Sequence, residues 1–226
     1  MFAKDFLALF YPSLCIICAS NLLKHEECIC ISCLHQTPKT DCFINSKNDV
    51  SERFWGRIQL ENAAALFDFN KDGNAQKLIH QLKYEEGKNV GIFLGKQLAY
   101  AINESECFNN IDIVIPVPLH SKKQKLRGYN QSDFIAKGIK EILDIKVNKQ
   151  SLIRIENTDS QTRKKRFSRW ENMMNSFDLR SSKKLKGKHI LLVDDVITTG
   201  STLEACAQKL QEVEGVKVSI ATIAVA

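Results

Sequence analysis

Long apolar runs are missing from this chain: a Lys, Asp or Glu interrupts every candidate well before membrane-spanning length, which excludes an expected membrane span. With only 10 glycines and 4 prolines there is no low-complexity tract, and no internal repeat is visible. A convincing secretion signal is also lacking. The opening MFAKDFLALFYPSLC carries a single lysine and is broken by Asp5, whereas Phe2, Phe6, Leu9 and Phe10 fall on one face of a short helix. A soluble, cytoplasmic protein is the expectation. The net charge of +6 falls short of a histone-like excess. It permits binding to nucleic acid or phosphorylated metabolites without requiring either.

What is present is a chain of 226 residues, enough for one substantial core and a small appendage. Residues 1–45 hold six of the eight cysteines and little periodic pattern, and 46–60 read as a polar linker. From 61 onward the texture changes. AAALFDF, IDIVIPVPL, KHILLVDD and VKVSIATIAVA read as strands, with helical patterns in NAQKLIHQLKY, NVGIFLGKQLAYAINE, SDFIAKGIKEIL and STLEACAQKLQEVEG. Ser132 is the expected cap of the third helix. Pro116 and Pro118 forbid IDIVIPVPL from continuing as an interior strand. Strands apolar on both faces and alternating with helices predict an α/β domain over 61–226 built on a mainly parallel sheet.

The most informative stretch is ILLVDDVITTGSTLEA, residues 190–205. Its apolar run ends in two adjacent carboxylates, Asp194 and Asp195, where an open parallel sheet binds its ligands. Next come Thr198, Thr199, Gly200, Ser201 and Thr202, offering four hydroxyls and a glycine that allows a tight turn into a helix N-terminus. Unpaired N–H groups and the positive end of the helix make that turn a monophosphate cradle. Vicinal carboxylates suit the paired hydroxyls of a sugar or a hydrated Mg²⁺. No Gly-Lys-Ser/Thr follows the turn and the G-x-G-x-x-G spacing is absent, which excludes a Walker A loop and a dinucleotide fingerprint. The plain alternative is an Asp-capped turn, but it leaves the whole ordered series unexplained. The stretch resembles the signature of the type I phosphoribosyltransferases, which bind 5-phosphoribosyl 1-pyrophosphate (PRPP). The resemblance implies that Asp194 and Asp195 hold the ribose hydroxyls and that residues 198–202 hold the 5′-phosphate.

A second anion site is suggested by IPVPLHSKKQKLRGYNQS, read as a loop carrying Lys122, Lys123, Lys125 and Arg127 ahead of Gly128. A solvated basic loop is the alternative for the lysines. Together with LIHQLKYEEGKNVGIFLG and NTDSQTRKKRFSRWENMMNSF, this segment is similar to the ComF family, phosphoribosyltransferase-like proteins tied to DNA uptake in natural competence. The family often has arginine where Lys122 or Lys125 stands, so a bidentate donor is replaced by a point charge. The resemblance implies a PRPP site that uses Mg²⁺, with Arg127 and Lys122 near the pyrophosphate. Lys83, Gln161, Arg163, Arg166 and Arg169 are candidates for a cover over it.

The cysteine segment contains CIIC at 15–18 and CISC at 30–33, with eleven residues between the pairs. Four thiolates at this spacing can surround one Zn²⁺ as two knuckle turns, and a segment with so little core needs such a metal to fold. Cys15, Cys18, Cys30 and Cys33 are the expected ligands, with Cys28, Cys42, His25 and His35 as alternatives. Cys107 and Cys206 read as ordinary buried thiols.

Three functions fit these residues: a phosphoribosyltransferase acting through Asp194, Asp195 and Arg127, a module binding single-stranded DNA, and a PRPP sensor that transfers nothing. In the second, Phe167 and Trp170 lie among cations in RKKRFSRW, a composition suited to stacking on unpaired bases. The resemblance implies single-stranded DNA as the partner, with a helicase-like translocase and a recombination mediator acting nearby. The expected whole is a PRPP-binding protein of DNA uptake.

Overall fold

A computed structural model describes residues 12–83, 87–155 and 176–226. The expected helix at Phe2, Phe6, Leu9 and Phe10 lies outside these residues, as do Gln161, Arg163, Arg166, Phe167, Arg169 and Trp170. Two short helices come first, α1 (Ile31–His35) and α2 (Asp49–Glu52). The body then runs β1 (Ala63–Asp68), α3 (Asn74–Gln81), α4 (Gly87–Glu104), β2 (Ile113–Pro116), α5 (Ser121–Arg127), α6 (Gln131–Leu143) and β3 (Lys146–Val147). It continues with β4 (Leu152–Arg154), β5 (Phe177–Leu179), β6 (His189–Ile197), α7 (Ser201–Gln211) and β7 (Lys217–Val225).

Five strands form one sheet in the order β1-β7-β6-β2-β3, and every pairing in it is parallel. This is the α/β architecture expected from the apolar strands. The central strand β6 buries Ile190, Leu191, Leu192 and Val193 completely, as a strand covered on both faces must. The apolar run SLIRI leaves this sheet: β4 pairs antiparallel with β5 in a separate two-stranded ribbon.

The connectivity creates a crevice. From β2 the chain passes through α5 and α6 to β3 on one side, whereas from β6 it passes through α7 to β7 on the other. Adjacent strands whose connections diverge form a topological switch point. Strand β2 stops at Pro116, as its prolines require, and Val117 N–H donates a final bond to Val193 O at 2.9 Å. Beyond Val193, β6 keeps only β7 as a neighbour, with Asp194 opposite Thr222. One flank of the two aspartates is thereby left open.

Two features fix the wall of this opening. Helices α4 and α6 approach closely at Gly95 and Gly138, where an added Cβ would press on the backbone of the facing helix. Tyr129, ahead of α6, donates its hydroxyl to Leu82 O at 2.6 Å, tying the start of α6 to the end of α3.

Segment 46–60 is packed rather than loose. Asn48 caps α2 by accepting from Val50 N–H and Ser51 N–H, and donates to Ala63 O at 3.1 Å. Val50 and Phe54 are buried against the body.

Candidate functional site

Both aspartates stand near the end of β6, which continues two residues beyond them, and neither is fully buried. Asp194 Oδ1 accepts hydrogen bonds from Ser132 Oγ at 2.8 Å and from Asp195 N–H at 2.9 Å. Asp195 Oδ1 accepts from Val196 N–H at 2.7 Å. Ser132 is therefore not the helix cap that its position suggested. Asn130 takes the cap position and donates its amide to Val117 O and to the Asp133 carboxylate, while Ser132, in the first turn, bonds to Asp194.

Burial and the neighbouring Asp195 charge push the Asp194 carboxyl up to about 7, opposed by Ser132, Asp195 N–H and the Arg154 guanidinium. Burial likewise raises Asp195, against the pull of Val196 N–H and of the charges on Arg127 and Lys83. Two like charges at one strand end thus form an under-neutralised pair, satisfied by a ligand that donates hydrogen bonds or brings positive charge. Arg154, on β4, stacks over Phe177 at 5.1 Å, and its Nε is buried without a hydrogen-bond partner among the described residues. Gln131 Nε2, beside Ser132 in the chain, is buried and unpartnered in the same sense.

The turn after β6 carries the second half of the site. Gly200 stands at the N-cap of α7 with φ 78°, a left-handed conformation that disfavours a side chain. A Cβ there would also meet the Phe54 ring at 3.0 and 3.1 Å. Thr198 and Thr199 are exposed, and the Thr199 and Ser201 hydroxyls lie 3.0 Å apart. Thr202 follows in the first turn of α7. Hydroxyls and a helix start meet here within seven residues of Asp195.

The sequence placed Lys122, Lys123, Lys125 and Arg127 on a loop, but they lie on helix α5. His120 caps it through Nδ1, accepting from Lys122 N–H at 3.2 Å, and Gly128 ends it with φ 77°. The helical turn separates these cations: Arg127 is half-buried and faces Asp195 electrostatically, whereas Lys122, Lys123 and Lys125 are exposed. Lys83, just past the end of α3, acts on the same carboxylate. Ser132 and Arg154 were absent from the expected site. No local pattern marks them, because both reach Asp194 from elements distant in the chain.

At the other end of the described chain, the Sγ atoms of Cys15, Cys18, Cys30 and Cys33 all lie within 4.8 Å of one another. Cys28, Cys42, His25 and His35 are not part of that group. Tetrahedral Zn²⁺ with bonds of about 2.3 Å sets its sulfurs about 3.8 Å apart, and Cys18 Sγ stands 3.8 Å from Cys30 Sγ. Cys15 Sγ accepts from Cys30 N–H and Cys30 Sγ from Cys33 N–H, both at 3.4 Å. Hydrogen bonds from Ser20 hold the Cys18 thiol down at about 6, favouring the thiolate a metal requires. Burial pushes the Cys28 thiol up to about 11 and raises that of Cys33 as well. The donor set fits a tetrahedral metal.

Comparison with known proteins follows the same outline. The profile of the phosphoribosyl transferase domain matches residues 129–225, from the start of α6 through β7. The DNA utilization protein YhgH of Salmonella typhimurium is 32% identical over 136 residues, 59% of each chain. Competence protein F of Haemophilus influenzae is 32% identical over 139 residues, 60% of this chain and 61% of that one. Competence protein ComFC of Bacillus subtilis is 34% identical over 100 residues, 44% of this chain and 38% of that one. The chain thus spans about three-fifths of the length of the first two relatives. No helix among the described residues is long and apolar enough to cross a membrane. A parallel five-stranded sheet, a phosphoribosyl transferase domain at 129–225 and a four-cysteine cluster ahead of it are thus combined in a chain that is similar, over about three-fifths of its length, to the YhgH and competence F proteins.

Proposed function

We propose that this chain binds PRPP at the switch-point crevice and acts in the handling of incoming DNA in the cytoplasm. The observation that carries the reading is the juxtaposition at β6. An under-neutralised aspartate pair is followed, after four residues, by a left-handed glycine that opens a helix. Asp194 and Asp195 would accept from the ribose 2′- and 3′-hydroxyls, with Ser132 holding Asp194 in place. The amides and hydroxyls of 198–202 would bind the 5′-phosphate. Arg127 and Lys83 stand on the side where the pyrophosphate would lie, with Lys122 further out on α5. Mg²⁺ accompanying the pyrophosphate supplies charge neutralisation. Cys15, Cys18, Cys30 and Cys33 would hold a structural Zn²⁺.

DNA contact is supported by a second surface. A groove of about 660 Å³ near the starts of β2 and β3 is lined by Lys137, Lys140, Lys146, Lys149, Arg180 and Lys184, with no acidic residue in its lining among the described residues. One of these, Lys149, pairs with Asp133 at 3.3 Å. Such a groove suits the sugar-phosphate backbone of single-stranded DNA, in keeping with the names of the relatives.

Calorimetric titration with PRPP and Mg²⁺ tests the first part, and an assay for released pyrophosphate separates binding from transfer. Wild type should bind, and a folded Asp194→Asn/Asp195→Asn variant should not. Anisotropy with labelled single-stranded DNA across a salt series tests the second. Affinity should fall steeply with salt, and replacing Lys140 and Lys146 by Glu should weaken it.

A further inference from the structure

The turn at 198–200 is backed by a part of the chain that lies outside the phosphoribosyltransferase match. Three consecutive features of segment 53–57 reach it. Arg53 donates through NH1 to Thr198 O and to Ala226 O, the latter at 2.9 Å. Phe54 packs against Gly200, where its ring fills the space a Cβ would need. Arg57 donates through NH1 to Thr199 O at 3.3 Å and through NH2 to the Glu204 carboxylate. Arg57 also bonds Arg53 O at 2.9 Å, so the two arginines share one frame.

The consequence follows from peptide geometry. In a trans peptide unit the C=O and the next N–H point in opposite directions. Carbonyls of Thr198 and Thr199 turned toward the two guanidiniums therefore turn the N–H groups of Thr199 and Gly200 the other way, toward the crevice side of the turn. Successive amides presented in this manner form an anion-binding concavity.

Glu204 raises a separate problem that the same pair solves. It sits in the first turn of α7 and is 2% exposed. An acid there favours the helix dipole, yet its charge would repel a phosphate dianion at the same helix end. Arg57 neutralises it through an ion pair in which only the arginine reaches solvent, its side chain 34% exposed. The frame itself is fixed: Asn48 caps α2, and Phe54 N–H and Arg57 N–H close successive turns onto Ser51 O and Phe54 O.

We infer that Arg53 and Arg57 are positioning residues for the phosphate turn. They aim its amides and cancel the Glu204 charge, without themselves touching the ligand. The inference rests on the reading of 198–202 as a phosphate site.

Calorimetric titration with two separate probes, ribose 5-phosphate and inorganic pyrophosphate, tests it. Arg57→Ala should weaken ribose 5-phosphate binding about tenfold and Arg53→Ala severalfold, while pyrophosphate binding near Arg127 stays at the wild-type level. The double variant Arg57→Ala/Glu204→Gln should recover part of the lost affinity, because no unpaired charge remains beneath the phosphate. If Arg57→Ala does not fold, Arg53→Ala and the double variant, each checked by circular dichroism, carry the test. Wild-type affinity for ribose 5-phosphate in the folded arginine variants would overturn the inference, as would equal weakening of both probes. Failure of the wild-type protein to bind ribose 5-phosphate at all would remove the phosphate reading itself, and the inference with it.

Discussion

Around Asp194 the chain is shaped by apolar strands. Ile190 to Val193 are fully buried between helices, and the site lies where β2 leaves β6 at Pro116. Around Cys15 there is almost no such interior. Between residues 12 and 36, Cys15, Ile29 and Cys33 are the buried side chains, and the sulfurs converge instead. The first region would hold its geometry without a ligand because burial and β-ladder bonds define it. The second converges on four thiols, and if these bind as thiolates their mutual approach needs the cation proposed above. The connection between the two, at 46–60, is anchored by Asn48 and reaches the phosphate turn through Arg53 and Arg57.

The sharpest way to break that contrast is to remove a thiol. Cys15→Ser should lower bound zinc from about one per chain to near zero by elemental analysis. It should also open residues 12–45 to proteolysis while the far-ultraviolet circular dichroism of the sheet domain is largely kept. Retention of zinc with an intact segment would contradict the assignment. Next in size is a cavity in the other region: Leu192→Ala, at a fully buried position, should cost about 3 kcal/mol in denaturant unfolding.

Much of this was legible in the sequence wherever neighbours in the chain are also neighbours in space. The strand, acid pair, glycine turn and helix of 190–205 are a single local unit, as is each C-x-x-C knuckle. What escaped is what depends on long-range contact. Ser132 meets Asp194 across 62 residues, and Arg53 meets Thr198 across 145. The basic loop proved to be α5 because His120, an unusual capping residue, starts it and Gly128 stops it. Neither feature stands out in a run of lysines.

A smaller effect distinguishes the aspartate pair from an ordinary capped turn. Asp194 has its carboxyl raised to about 7 in the folded chain and lies in the usual carboxylate range when unfolded. Between about pH 4 and pH 7 the folded state therefore holds the extra proton, and stability must fall as pH rises through that window. Without ligand, Asp194→Asn should flatten this slope and raise the melting temperature at pH 8 while changing little at pH 4. An unchanged slope would show that the pair is already neutralised. Ribose hydroxyls donate best to the ionised form, so PRPP affinity of the wild-type protein should increase from pH 6 to pH 8.

The most direct measurement is a crystal structure of the protein with PRPP and Mg²⁺. The account predicts the ribose 2′- and 3′-hydroxyls on Asp194 and Asp195, the 5′-phosphate on the amides of 198–202, and the pyrophosphate toward Arg127 and Lys83. A well-ordered ligand bound elsewhere, with this crevice intact and empty at saturating PRPP, would contradict it.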